Sequence, residues 1–179
     1  MSLGRRLAIW LAPIAVFAGV FLMLARPRPS RVEVGAVAPD FRVVNVATGK
    51  TVTLRTEYRD AVTLVNIWGT WCGPCVHEMP AMDSLFRALG SRGFRIAAVS
   101  VDERALDDVR TFVAAHQISF DVLNDASGRI KEIYHTTGVP ESFLIDRTGH
   151  IVRIAQMAAP WNSPENRRIV EQLLAAPAS

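Results

Sequence analysis

The run Val62-Thr63-Leu64-Val65-Asn66-Ile67-Trp68, continuing through Gly69-Thr70-Trp71 into Cys72-Gly73-Pro74-Cys75, decides how this chain is read. Its first part is nearly all apolar, the pattern of a short strand buried on both faces. A helix is predicted from about Gly73, because Met79, Met82, Leu85, Phe86 and Leu89 then share one face. The cysteines therefore stand where a buried strand gives way to a helix, near enough to close a small disulfide ring. Cys72 falls at the positive end of the helix macrodipole, beside backbone N–H groups without intrahelical partners. Both effects favour the thiolate, the reactive form of cysteine. Cys75, one turn further in, is expected to be the more buried sulfur and suits the resolving role. Pro74 lies in the first turn, where its missing N–H costs nothing.

Other uses of a cysteine pair fit less well. A zinc site needs two further ligands at suitable spacing, and the chain has only two cysteines. Haem attachment requires histidine directly after the second cysteine, where Val76 stands, with His77 one place late. A purely structural disulfide would close too small a loop to restrict the unfolded chain much. Redox exchange is the reading the context supports.

Working outward, Phe41–Val46 and Thr51–Leu54 flank a Thr48-Gly49 turn and read as a hairpin. Phe94–Val101 is a second buried strand, and Leu106, Val109, Phe112 and Val113 mark a helix face. Phe120–Leu123 reads as a short strand and Ser127–Tyr134 as a short helix. Ser142–Asp146 and Ile151–Ala155 bracket Arg147-Thr148-Gly149-His150 as an antiparallel hairpin. Ser163 caps a last helix with Pro164 at its first position and Ile169, Val170, Leu173 and Leu174 as its stripe. Alternating strands and helices followed by a hairpin and helix imply an α/β fold, a mixed central sheet flanked by helices.

The length of 179 residues suits one domain with an appendage, and a composition 50% hydrophobic and 21% charged excludes a disordered chain. The sequence pI near 9.3 is not a nucleic-acid footprint. All 17 acidic residues follow residue 31, whereas Arg5, Arg6, Arg26, Arg28 and Arg31 flank the first apolar run. That run, Leu7 to Ala25, is uncharged and long enough as a helix, roughly 28 Å, to cross a bilayer core. Residues 1–25 are thus expected to be a membrane anchor and 26–37 a tether, with the soluble domain over 38–179. A cleaved signal peptide is the alternative, but Met23 and Ala25 supply only half of the small-residue pattern at a cleavage site. Arginines on both sides leave the orientation open.

The chain resembles the thioredoxin superfamily, and within it the membrane-anchored TlpA/ResA branch related to CcmG/DsbE. The resemblance rests on Ala38-Pro39-Asp40-Phe41, on Asn66 to Cys75, on Glu78-Met79-Pro80 and on Gly138-Val139-Pro140-Glu141-Ser142-Phe143-Leu144-Ile145-Asp146, and covers about residues 36–176. It implies a thioredoxin-like fold with a cis bond before Pro140, which packs opposite the disulfide. The backbone of Val139 then faces the cysteines and pairs with an extended client segment, while Trp71, Gly73 and Pro74 shape the surface the client meets. Pro80, inside the predicted helix, is expected to kink it. Ordinary thioredoxins assist the second cysteine with a buried acid. That position maps onto Asn66, which cannot titrate, so Glu141 is the candidate for the Cys75 proton, with Glu78 in reserve. Trp68, Met79 and Met82 are expected in the core, with Trp161 packing over the sheet.

The resemblance implies a thiol–disulfide oxidoreductase, facing the extracytoplasmic side of a bacterial cytoplasmic membrane and needing no cofactor or metal. Its clients are disulfide-bearing proteins, such as apocytochrome c or copper-site proteins of cytochrome oxidase, and its electron donor is a membrane protein of DsbD/CcdA type. Two alternatives stand beside it. A peroxiredoxin-like peroxidase shares the Ala38-Pro39-Asp40-Phe41 opening but needs threonine three places before the reactive cysteine, where Gly69 stands. A Cu(I) metallochaperone would use both thiolates as soft ligands.

Overall fold

The computed structural model describes residues 32–103 and 106–177. Seven strands, β1 (Arg42–Asn45), β2 (Thr51–Thr53), β3 (Val62–Trp68), β4 (Phe94–Ser100), β5 (Asp121–Asn124), β6 (Glu141–Ile145) and β7 (Ile151–Ala155), form one sheet in the order β2-β1-β5-β4-β3-β6-β7. β3 pairs in parallel with β4 and antiparallel with β6, so the sheet is mixed as predicted. Every residue of β3 is buried, because helices cover both faces.

Helix α1 (Leu54–Glu57) is followed by α2 (Gly73–Leu89), α3 (Leu106–Ala115), α4 (Arg129–Ile133) and α5 (Pro164–Ala175). α2, α3 and α5 bury Met79, Met82, Leu85, Val109, Val170 and Leu174 against Val62, Leu64 and Trp68 on one face. On the other, Ala38, Phe41, Leu54 and Ile130 close over Val65, Ile67, Ala97 and Val99. The alternation of β3 side chains between these two cores is the period-2 geometry of a strand. α2 runs without a break through Pro80, where the missing N–H leaves the Val76 carbonyl without its usual partner.

Most boundaries shift by a residue or two from the sequence reading, and three of the differences have a clear local cause. Leu54 does not end β2 but opens α1, because Thr53 and Thr56 form a capping box that turns the chain. β5 is shifted one residue toward the C-terminus, and Phe120 instead packs beside Phe86. The expected tether also ends earlier than residue 37. Gly35 N donates to Ile151 O (2.7 Å), Ala38 N to Gly149 O (2.8 Å), and Val37 bridges His150. These hydrogen bonds make residues 35–37 part of the domain.

None of the helices among the described residues is long and apolar enough to cross a membrane. The anchor expected over residues 7–25 lies outside the described residues, as does residues 26–31 of the tether.

Candidate active site

The carboxyl end of β3, the start of α2, the end of β4 and the start of β6 meet at one end of the sheet, where open α/β sheets present their chemistry. Cys72 is the N-cap of α2 and is joined to Cys75 by a disulfide with an S–S distance of 2.05 Å. Cys72 Sγ accepts from Cys75 N (3.3 Å), so the outer sulfur sits in the donor field of the first helical turn. Cys72 is 5% exposed and Cys75 1%, so Cys72 is the less buried of the two.

The Val139–Pro140 peptide bond is cis, and the Val139 carbonyl oxygen lies 3.6 Å from Cys72 Sγ. Trp71 stands beside them, 64% exposed. Gly69 makes its position possible, since a Cβ at residue 69 would come within 2.7 Å of the Trp71 ring. With Val101, Lys131, His135, Gly138 and Val139, Trp71 borders a cavity of about 630 Å³ next to the cis-proline loop. Gly73 has open space where its Cβ would be, and Pro74 follows it in the first turn of α2.

Beneath the dithiol lies a buried polar network. Asn66 Nδ2 donates one hydrogen to Glu78 Oε1 (2.8 Å) and the other to Ser142 Oγ (2.9 Å). Ala159 N donates to Glu78 Oε2 (3.0 Å). Burial pushes the Glu78 carboxyl above the usual carboxylate range, against the opposing contacts from Ala159, Asn66 and the Trp161 indole. Glu78 follows Cys75 by three residues, so the two share a face of α2 with Cβ atoms about 5–6 Å apart.

Glu141, the first candidate for the Cys75 proton, is placed differently. It is opposite Ile67 in the β3–β6 register, so it belongs to the sheet face away from α2. Its polar neighbours are Thr136 and Gln156, and burial raises its carboxyl too. Ser142, one residue on, points to the α2 side instead and completes the Asn66 network. The reserve candidate, Glu78, is therefore the acid on the side of Cys75.

Sequence reasoning passed over Asp102. Buried at the end of β4, it accepts from Thr70 N (2.9 Å) and Thr70 Oγ1 (2.6 Å), and also from Ser100 Oγ. These bonds pin the loop that carries Trp71 and Cys72. The signal was present: an acid just past a strand with an apolar run over Ile96–Val99, at the sheet end that carries the cysteines. Trp161, expected only to pack over the sheet, is fully buried and flanks Glu78.

A thioredoxin-like sheet with a dithiol at a helix start and a cis-proline loop against it defines a thiol–disulfide oxidoreductase. The chain belongs to the AhpC/TSA family, whose model matches residues 34–154. Thiol-disulfide oxidoreductase ResA of Bacillus thuringiensis subsp. konkukian (strain 97-27) is 35% identical over 126 residues, which is 70% of this chain and 71% of that protein. ResA of Geobacillus thermodenitrificans (strain NG80-2) is 37% identical over 123 residues, 69% of each. A thiol:disulfide interchange protein of the thioredoxin family from Chlorobium tepidum TLS superposes with a TM-score of 0.63 at 26% identity, covering 84% of this chain and all of that one. StoA from Bacillus subtilis, at 21% identity and a TM-score of 0.60, shares the fold.

Proposed function

We propose that this protein reduces disulfides in client proteins outside the cytoplasmic membrane, held there by a helix over residues 7–25. The clients belong to cytochrome c biogenesis or to copper-site assembly in cytochrome oxidase, and a membrane donor of DsbD/CcdA type restores the dithiol. The observation that carries the reductase chemistry is the Cys72–Cys75 disulfide at the start of α2 with the Val139 carbonyl against its outer sulfur. The pathway rests on the resemblance to the membrane-anchored branch and on the ResA relatives.

In the reaction, Cys72 thiolate attacks one sulfur of the client disulfide and the other client sulfur leaves as a thiolate. Cys75 then loses its proton and attacks Cys72 Sγ, which expels the first client sulfur and leaves the Cys72–Cys75 disulfide. Two electrons pass from the dithiol to the client. Glu78, a carboxyl that burial holds above the usual carboxylate range on the face of α2 that carries Cys75, is the group we assign to the Cys75 proton. Asn66 and Ser142 hold it in place. The Val139 carbonyl and Trp71 receive the client segment around its cysteine. Gly69, in place of threonine, argues against the peroxidase alternative.

The test is a trap. A Cys75→Ser variant produced in a bacterial envelope cannot resolve the mixed disulfide, so clients should remain joined to Cys72 and be released by dithiothreitol. Recovery of CXXCH-bearing apocytochromes or copper-site proteins supports the pathway. Adducts that form equally in a Cys72→Ser variant, through Cys75, would refute the mechanism.

A further inference from the structure

The dithiol occupies one end of the sheet; the chain's entry into the domain occupies the other. Because β6 is antiparallel to β3, the turn Asp146–His150 lies at the end where β3 begins, and residues 35–38 are hydrogen-bonded to Gly149 of that turn and to Ile151 directly after it. The seven residues of β3 put about 20 Å between these poles.

The entry pole has its own surface chemistry. Beside the turn is a cavity of about 420 Å³ whose lining includes Val37, Arg55, Arg59, Asp60, Thr63 and Arg147. Arg55, Arg59 and Arg147 form no salt bridge among the described residues, whereas Arg95, Arg110 and Arg153 are each paired. Arg147 Nε is buried without a hydrogen-bond acceptor. Of the two acids on the lining, Asp146 already accepts from Thr148 N, Thr148 Oγ1 and His150 N, which leaves Asp60 as the one uncommitted counter-charge there. Val34 and Val37 are 61% and 52% exposed. Among the described residues only Trp71 and Met157 are large exposed apolar side chains besides these, and both belong to the dithiol end.

Outside the described residues, Arg26, Arg28 and Arg31 continue toward the apolar run that ends at Ala25. From Ala25 to Gly35 the chain spans at most about 35 Å. That reach lets either pole approach the bilayer, so surface chemistry makes the choice. Arginines with free guanidinium groups beside exposed valines match a phospholipid interface, where phosphates overlie apolar chains.

We propose that the entry pole is a bilayer-seating surface: Arg55, Arg59 and Arg147 take the phosphates of anionic lipid headgroups, Val34 and Val37 enter the interface, and the dithiol is held facing away from the membrane. This rests on the reading of residues 7–25 as an anchor.

The test uses the full chain in nanodiscs of phosphatidylcholine alone or with phosphatidylglycerol, followed by hydrogen exchange. Amides of residues 33–38, 54–61 and 146–150 should exchange roughly fivefold or more slowly in the anionic discs, an effect reversed by high salt. Residues 70–76 should exchange alike in both. An Arg55→Gln, Arg59→Gln, Arg147→Gln variant should lose the lipid dependence and keep its rate with a small disulfide. Equal exchange in both discs overturns the proposal, as does slowing confined to residues 70–76. The same slowing from inorganic phosphate in phosphatidylcholine discs would also overturn it, assigning the arginines to a free anion. Extraction of the chain from vesicles by alkaline carbonate would instead refute the anchor, and the seating with it.

Discussion

Replacing Glu78 separates its hydrogen-bonding role from its charge. Glu78→Ala would leave two buried donors, one hydrogen of Asn66 Nδ2 and Ala159 N–H, without acceptors. Each such group costs about 1–3 kcal/mol, and loss of a carboxyl that burial already penalises offsets part of this. The expected net is about 2–4 kcal/mol, or about 6–12 °C in Tm for a domain of this size. Glu78→Gln behaves differently. If Asn66 turns its amide over, its Oδ1 accepts from the new Gln amide and from Ser142 Oγ, while the Gln oxygen still accepts from Ala159 N. Ala159 N–H and Ser142 Oγ keep partners but the Asn66 Nδ2 hydrogens turn away from both of their acceptors, so the cost should be about 1–2 kcal/mol, below that of Glu78→Ala. Urea unfolding of the full chain in detergent, followed by tryptophan fluorescence, measures both. Glu78→Gln as damaging as Glu78→Ala would refute this account of the network. The sign of the pH dependence is fixed as well. A carboxyl raised in the folded state contributes stability that is fully present below its unfolded value, about pH 4.3, and is lost as pH rises through the folded value. Wild type should therefore lose stability relative to Glu78→Gln across that window. A pH-independent difference would mean that Glu78 ionises as freely folded as unfolded.

Asp102→Ala should cost about 1–3 kcal/mol, because Thr70 N–H loses its acceptor. It should also slow reduction of protein disulfides more than of a small disulfide, whereas Asp102→Asn, which can still accept from Thr70, recovers most of both. Gly69→Ala should displace the Trp71 ring, seen as a change in its fluorescence and a raised KM for a client protein. Stability should change by less than about 0.5 kcal/mol, since Trp71 is exposed. An unchanged KM would remove Trp71 from client binding.

Periodicity and local chemistry alone were enough to determine the elements that carry the reaction. The apolar run Val62–Trp68, the dithiol at a helix start, the Arg147–His150 turn and the Ser163-Pro164 cap each announce themselves within a few residues, and each stands where the pattern places it. Which groups meet across those elements was settled only by sheet order and register. Asn66, Glu78 and Ser142 are 12 and 76 positions apart, and Asp102 lies 32 from Thr70. Glu141 and Ser142 are neighbours in sequence, yet the pleat sends one to each face of the sheet, so a single position separates the proton network from the opposite side. A buried face can be read from spacing, because burial repeats along one strand. The partner on that face cannot, because it arrives from another strand by way of the fold.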